Sequence, residues 1–254
     1  MTQAKSHAPY PRLAANGTVI AVGFDLDNTL YEHAEFVEGA YRAVAALIAR
    51  TAGIDEESFF RRIFTDWERL TSDCSRIFSD ALRDYNCYSP DLERTMVLTY
   101  RSHRPDSLTL YPGVRESLRR LKESGIRLGL LSDGDSGVQR HKVNALGLAG
   151  AFDVEIFTGD LGREFYKPHH KGFELLVGAL GAPAAQTVYI GDNPRCDFLA
   201  PWELGMRVTR VRTGEYREHP HDPAWDLEVC ENLTEAIDQI LAWSCCRTGN
   251  KHGS

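Results

Sequence analysis

Five short apolar runs, each closing on polar or small residues, set the terms on which this chain can fold. They read TVIAVGFD (18–25), IRLGLLSD (126–133), FDVEIFTGD (152–160), TVYIGD (187–192) and MRVTRV (206–211). Each has the length of a strand, and several are nearly continuous in β-branched residues and leucine, the pattern of strands covered on both faces. Helical patterns alternate with them at VRESLRRLKES (114–124), SGVQRHKVNALG (136–147), HKGFELLVGALG (170–181), PRCDFLAPWELG (194–205) and NLTEAIDQILAWS (232–244). Three of these end on a glycine, a common helix stop. The alternation predicts an α/β fold, a doubly wound, Rossmann-like parallel sheet with helices on both faces.

Residues 32–108 break the rhythm. They hold no good strand but repeated helical periodicity: EFVEGAYRAVAALIARTAG, ESFFRRIFTDWERL, SRIFSDALRDYN and PDLERTMVLTYRSH. Phe36, Ala40, Val44, Leu47 and Ile48 fall on one helix face. An inserted α-helical domain after the first strand is expected, dividing a core of 18–31 and 109–244. Residues 1–17 and 245–254 read as a flexible arm and a flexible tail.

In open parallel sheets, ligands bind beyond the carboxyl ends of the strands. Four of the five runs carry distinctive polar residues there: Asp25 and Asp27, Ser132 and Asp133, Asp160, and Asp192. The pair in FDLDNTLY is the most pointed, because two unit charges about 4 Å apart repel by roughly 4 kcal/mol at an effective dielectric near 20. Either both carboxylates look into water, or the pair marks a cation site, a reactive carboxylate, or both. A calcium loop starting at Asp25 needs glycine at its sixth position and glutamate at its twelfth, where the chain has Leu30 and Phe36. No G-x-x-x-x-G-K-[ST] occurs, and no G-x-G-x-x-G follows a strand, so nucleotide-binding signatures are missing.

Other classes of partner are disfavoured. With 29 basic against 36 acidic side chains, the chain is a poor candidate for a phosphate backbone, so no nucleic-acid partner is expected. No run reaches the length of a membrane helix and the first residues carry no apolar signal core, so neither a membrane partner nor export is expected. Cys74, Cys87, Cys196, Cys230, Cys245 and Cys246 form no C-x-x-C pair and read as free thiols of a cytoplasmic protein.

Taken together, the polar residues resemble the motifs of the haloacid dehalogenase superfamily, in the branch whose helical cap is inserted after the first motif. DLDNT (25–29) is similar to D-x-D-x-T, Ser132 to the second-motif hydroxyl, Lys167 in YKPHHKGF to the motif lysine, and GDNPRCD (191–197) to the acidic fourth motif. All four occur in the family's order, and the resemblance spans roughly 18–216. It implies Asp25 as the nucleophile that forms an aspartyl-phosphate and Asp27 as the group that protonates the leaving oxygen and deprotonates water. It implies Mg²⁺ held by Asp25, Asp192 and the backbone carbonyl of Asp27, with Lys167, Ser132 and Asp133 at the phosphoryl group. Thr29 and Asp197 would support these, Asp197 through a metal-bound water or through Lys167. The superfamily's dehalogenases lack an aspartate at the position of Asp27, so its presence favours phosphate chemistry.

The expected activity is therefore a Mg²⁺-dependent phosphatase acting on a small phosphorylated metabolite. Similarity of GREFYKPHHKGF and DFLAPWELGM to capped members near sugar-biosynthesis genes puts a sugar phosphate first and a nucleoside monophosphate second. A phosphomutase or phosphotransferase shares every motif. A phospho-receiver domain gathers similar residues, but on a later strand and without an inserted helical domain. His169 and His170, the RSHR cluster (101–104), and Tyr31, Glu32 and His33 are secondary candidates as substrate contacts or cavity-mouth residues; the four tryptophans read as packing.

Overall fold

The computed structural model describes residues 18–70, 76–223, 225 and 227–245. Six strands form one all-parallel sheet in the order β3-β2-β1-β4-β5-β6: β1 (Ala21–Phe24), β2 (Arg127–Ser132), β3 (Val154–Phe157), β4 (Thr187–Gly191), β5 (Arg207–Val211) and β6 (Glu228–Cys230). From β1 the chain builds outward to β2 and β3 on one side, then returns to β4 and builds to β5 and β6 on the other. The crevice between oppositely directed connections opens beside β1, where such sheets place their ligands.

Alternate strand residues feed two apolar layers. Val22, Phe24, Leu128, Leu130, Val188 and Ile190 face one, together with Val114, Leu118 and Leu121 of α5 (Val114–Glu123) and Ile237 and Ile240 of α9 (Leu233–Cys245). Ala21, Leu131, Tyr189 and Val208 face the other, against Phe173, Leu176 and Leu180 of α7 (His170–Leu180). Gly23 and Gly129 are register partners on neighbouring strands. A Cβ on either would sit 2.6 or 2.5 Å from a Leu176 methyl, so paired glycines let α7 seat directly on the sheet.

Between β1 and α5 the chain forms α1 (His33–Ala52), α2 (Glu56–Leu70), α3 (Ile77–Asp84) and α4 (Pro90–Ser102). Their shared interior is aromatic, with Phe36, Tyr41, Phe78 and Tyr100 meeting ring to ring. The two chain crossings that join these helices to the sheet lie side by side. Tyr111 N donates to Leu30 O at 2.9 Å, Tyr31 and Leu110 form an antiparallel bridge, and the Tyr111 hydroxyl donates to Glu32 Oε2 at 2.9 Å. One apolar cluster nevertheless runs without a break from the sheet through Leu26, Leu30 and Tyr31 into the inserted helices.

Two elements differ from expectation. The helix expected over 194–205 is only α8 (Leu199–Glu203), because residues 193–197 form a turn instead. There Asp197 Oδ2 accepts Asn193 N at 2.9 Å and Asn193 Oδ1 accepts Arg195 N at 3.0 Å, side-chain bonds that compete with helix. The edge strand β6 was not foreseen; three residues are too few to show a period. The remaining helix, α6 (Ser136–Ala145), follows β2 as expected. Residues 1–17 and the tail beyond 245 lie outside the described residues. Among the described residues, no helix is long and apolar enough to cross a membrane.

Candidate active site

A cavity of about 1100 Å³ opens at the carboxyl edge of the sheet, and Asp25, Asp27, Ser132, Asp133, Asp160, Lys167, Asp192 and Asp197 all line it. The inserted helices contribute His33, Tyr100 and Arg101. Asp25 leaves β1 with its amide bonded to Ile190 O at 2.9 Å, and Gly191 closes β4 alongside. Glycine is required at 191, since a Cβ there would lie 2.5 Å from Asp197 Oδ2.

Lys167 is the hub. Its buried ammonium reaches Asp25 Oδ1 at 2.5 Å, Asp197 Oδ1 at 2.7 Å and the Tyr189 hydroxyl at 3.3 Å, one partner for each N–H. Burial works against the charge, but Asp197 and Asp25 outweigh it and hold Lys167 well above its usual pKa. Thr29 Oγ1 donates to Asp25 Oδ2 at 3.3 Å. Asp197 accepts Lys167 on one oxygen and Asn193 N on the other, which holds the lysine against Asp25. Asp133 behaves similarly: its carboxylate takes Lys167 N at 3.0 Å and Thr158 Oγ1 at 2.6 Å, fastening the loop that carries the lysine. Asp160, exposed on the cavity lining, pairs with Arg140 at 2.5 Å.

The two aspartates of FDLDNTLY do not share a counter-ion. Asp27 has its own lysine: Lys142 Nζ lies 2.8 Å from both of its oxygens, the Tyr31 hydroxyl donates to Oδ1 at 2.5 Å and Gln139 Nε2 to Oδ2 at 2.9 Å. Burial would raise Asp27, but Lys142 and these bonds prevail and hold it well below the usual carboxylate range. Asp25 is the reverse case, pushed by burial up to about 7 despite Lys167. Gln139 and Lys142 are the residues the sequence reading missed. On α6 they share a buried face with Val143 and Leu146, so polar side chains at core positions of a helix were the available signal.

The secondary candidates separate. His33 lines the cavity, and burial lowers it to about 4. Tyr31 is buried on Asp27, and Glu32 accepts from Tyr111. His169 caps α7 by accepting Lys171 N, and His170 pairs with Glu203 at 2.7 Å; neither lines the cavity. Arg101 lines it and lies 3.9 Å from Asp135, whereas His103 packs on Phe36. Cys87, Cys196 and Cys230 are free thiols; the other three cysteine side chains lie outside the described residues.

The donor set suits a hard cation. Carboxylate oxygens of Asp25, Asp192 and Asp197, all buried, lie within 4.8 Å of one another. Asp192 Oδ2 is buried with no hydrogen-bond partner among the described residues, and burial followed by Asp197 and Asp25 pushes that carboxyl well above its usual pKa. An orphaned oxygen among like charges is costly in a dry site, and a divalent ion with oxygen ligands removes the cost.

Comparison with known proteins gives the family and supports the fold. The family profile of haloacid dehalogenase-like hydrolases matches residues 20–201. Glyceraldehyde 3-phosphate phosphatase of Methanocaldococcus jannaschii is 32% identical over 219 residues, covering 85% of this chain and 95% of the relative. Ribulose-1,5-bisphosphate 5-phosphatase of Halopiger xanaduensis is 28% identical over 235 residues, covering 87% and 92%. Among solved structures, a putative β-phosphoglucomutase from Thermotoga maritima superposes with a TM-score of 0.65 at 21% identity, over 87% of this chain and 98% of that one. The chain belongs to the haloacid dehalogenase-like hydrolases, and it is an enzyme.

Proposed function

We propose that this enzyme is a Mg²⁺-dependent phosphatase that cleaves a small sugar phosphate through an aspartyl-phosphate on Asp25. The observation that carries the reading is the Lys167 hub: a buried ammonium joins Asp25 to Asp197 beside the orphaned oxygen of Asp192. Asp25, Asp192 and the backbone carbonyl of Asp27 would hold the metal, which supplies positive charge that lets a carboxylate approach a phosphate dianion.

The protein's own groups do the rest. Lys167, anchored by Asp197, places a second positive charge at the phosphoryl oxygens, and Ser132 offers a hydroxyl donor, both fixed before substrate arrives. Asp25 attacks phosphorus in line with the departing ester oxygen. Asp27, held as an anion by Lys142, is in the form that takes a proton from the water attacking the aspartyl-phosphate. For an alkyl ester the anion would first have to take up a proton, from the substrate's own phosphate monoanion or from solvent, and pass it to the leaving oxygen as the ester bond breaks; a phenolate leaves without that help. The inserted helices act as a cap that limits access to the cavity. The sugar-phosphate preference is supported by the substrates named for the two phosphatase relatives. A cytoplasmic setting is supported by the free thiols.

The test is a panel of phosphorylated metabolites, glyceraldehyde 3-phosphate and ribulose 1,5-bisphosphate included, assayed for free phosphate. Activity should vanish with a chelator and return with Mg²⁺. Ca²⁺ should not restore it, because that ion favours more ligands and draws carboxylates into coordination. Full turnover in metal-free protein is the result that ends this reading.

A further inference from the structure

Gln139 sits buried on α6 between the two halves of the chemistry. Its Nε2 lies 2.6 Å from Ser132 Oγ and 2.9 Å from Asp27 Oδ2. Asp27 decides which end of the amide faces it. That carboxylate already takes Lys142 on both oxygens and the Tyr31 hydroxyl on one, so it offers acceptors only. An amide oxygen in the same place would meet it acceptor to acceptor; the NH₂ group is the end that fits. One N–H then goes to Asp27 and the other to Ser132.

This has a consequence for Ser132. With Gln139 donating to its oxygen, the serine cannot also donate to Gln139, and its own O–H proton must point elsewhere. Among the described residues no hydrogen bond from Ser132 Oγ to a protein acceptor is present, and Ser132 lines the cavity. Lys142 stands behind the arrangement: buried, 4.5 Å from the centre of the Phe36 ring, it fixes Asp27, which fixes the amide.

We propose that Gln139 is a positioning residue, which turns the Ser132 hydroxyl into a pre-set donor aimed at the phosphoryl group. The inference rests on the phosphatase reading, in which Ser132 meets a phosphoryl oxygen. Donors oriented before the substrate arrives need no reorganisation when charge develops.

Inorganic phosphate is the probe, titrated into the Mg²⁺-loaded full chain by calorimetry and by competitive inhibition. Gln139→Met should weaken phosphate about tenfold, the worth of one hydrogen bond. In a Ser132→Ala background the same change should weaken it less than about twofold, because the group it orients is gone. Equal losses in both backgrounds, or none in either, overturn the proposal. An independent arm uses the wild-type chain labelled with ¹⁵N-glutamine. Both side-chain N–H protons of Gln139 should exchange slowly, and Ser132→Ala should shift one of them and release its protection. Rapid exchange of either proton in the wild type, or no response to Ser132→Ala, overturns the proposal even where Gln139→Met does not fold. Failure of the wild type to bind phosphate, with the amide signature intact, removes the phosphatase reading and leaves the orientation of Ser132 standing.

Discussion

The sheet edge and the inserted helices face the same cavity but are built on opposite terms. At the edge, the ends of β1 and β4 supply the buried carboxylates Asp25, Asp192 and Asp197, and Lys167 ties two of them together with short bonds. Among the described residues, the inserted helices give the cavity only His33, Tyr100 and Arg101, and devote their interior to aromatic packing. A reaction centre needs atoms placed to fractions of an ångström, which a parallel sheet provides. Recognition of the rest of a substrate tolerates looser side chains on a separate element. The difference predicts that edge substitutions change whether chemistry occurs, while substitutions in the helices change what is bound and how stably.

The largest effect should come from Asp25→Asn. Turnover should fall on the order of 10⁴-fold or more, for every ester tested, and no phosphorylated peptide should be found after an acid quench. A helical-segment substitution with an equal and substrate-independent loss would break the division.

Next is Asp27→Asn, which should lower turnover of alkyl phosphates by on the order of 10²–10⁴-fold. An aryl phosphate should still phosphorylate Asp25, whereas water attack on the product stays slow, so intact mass should show the adduct accumulating. Label on another aspartate, or normal turnover of alkyl esters, would reassign the roles of the pair.

How far the sequence discloses each region follows from the same physics. The strands β1, β2, β4 and β5 are legible because a strand buried on both faces must be apolar along its length and must end in polar residues at the rim, and β3 at the edge by its short apolar run. Asp25, Ser132 and Asp192 lie at or just beyond those ends, so their convergence could be read, whereas Lys167, on the loop well past β3, was legible only through the family resemblance. Gln139 and Lys142 could not be read as easily: within SGVQRHKVNALG they look like the solvated side of a helix, although they occupy its buried face. The turn at 193–197 was hidden for a related reason, since its bonds run from side chain to backbone and leave no periodicity. Specificity in the inserted helices is the least legible, because packing and recognition draw on the same aromatic residues.

His33 gives a prediction of intermediate size. It is neutral in the fold, with burial lowering it to about 4 from an ordinary 6.5. Above pH 6.5 folded and unfolded chains both carry it uncharged, and it costs nothing. As pH falls from 6.5 toward 4 the unfolded chain binds a proton that the folded one refuses, so stability is lost across that window and the loss levels off below it. At about 1.4 kcal/mol per unit the ceiling is about 3 kcal/mol. His33→Phe should flatten this acid limb in denaturant melts between pH 7 and 4, with little change at pH 7.5. An unchanged limb would mean that His33 takes up its proton in the fold.

The smallest effect, and the sharpest test of the division, belongs to Arg101→Met. Arg101 ends α4 at the cavity mouth and faces Asp135 at 3.9 Å, with both side chains close to half exposed. An ion pair that open contributes little, so stability should move by less than about 1 kcal/mol. The guanidinium is nonetheless one of three inserted-helix side chains lining the cavity among the described residues, and a long cation there favours substrates whose tail is anionic. For ribulose 1,5-bisphosphate, KM should rise several-fold in Arg101→Met with kcat held, since the contact forms equally in ground and transition states. For 4-nitrophenyl phosphate, whose tail is neutral, neither constant should move. A fall in kcat on both substrates would place Arg101 with the sheet-edge machinery. No change on either would move selection to the core, where Arg140 of α6 and the loop residues Arg163 and Arg195 also line the cavity.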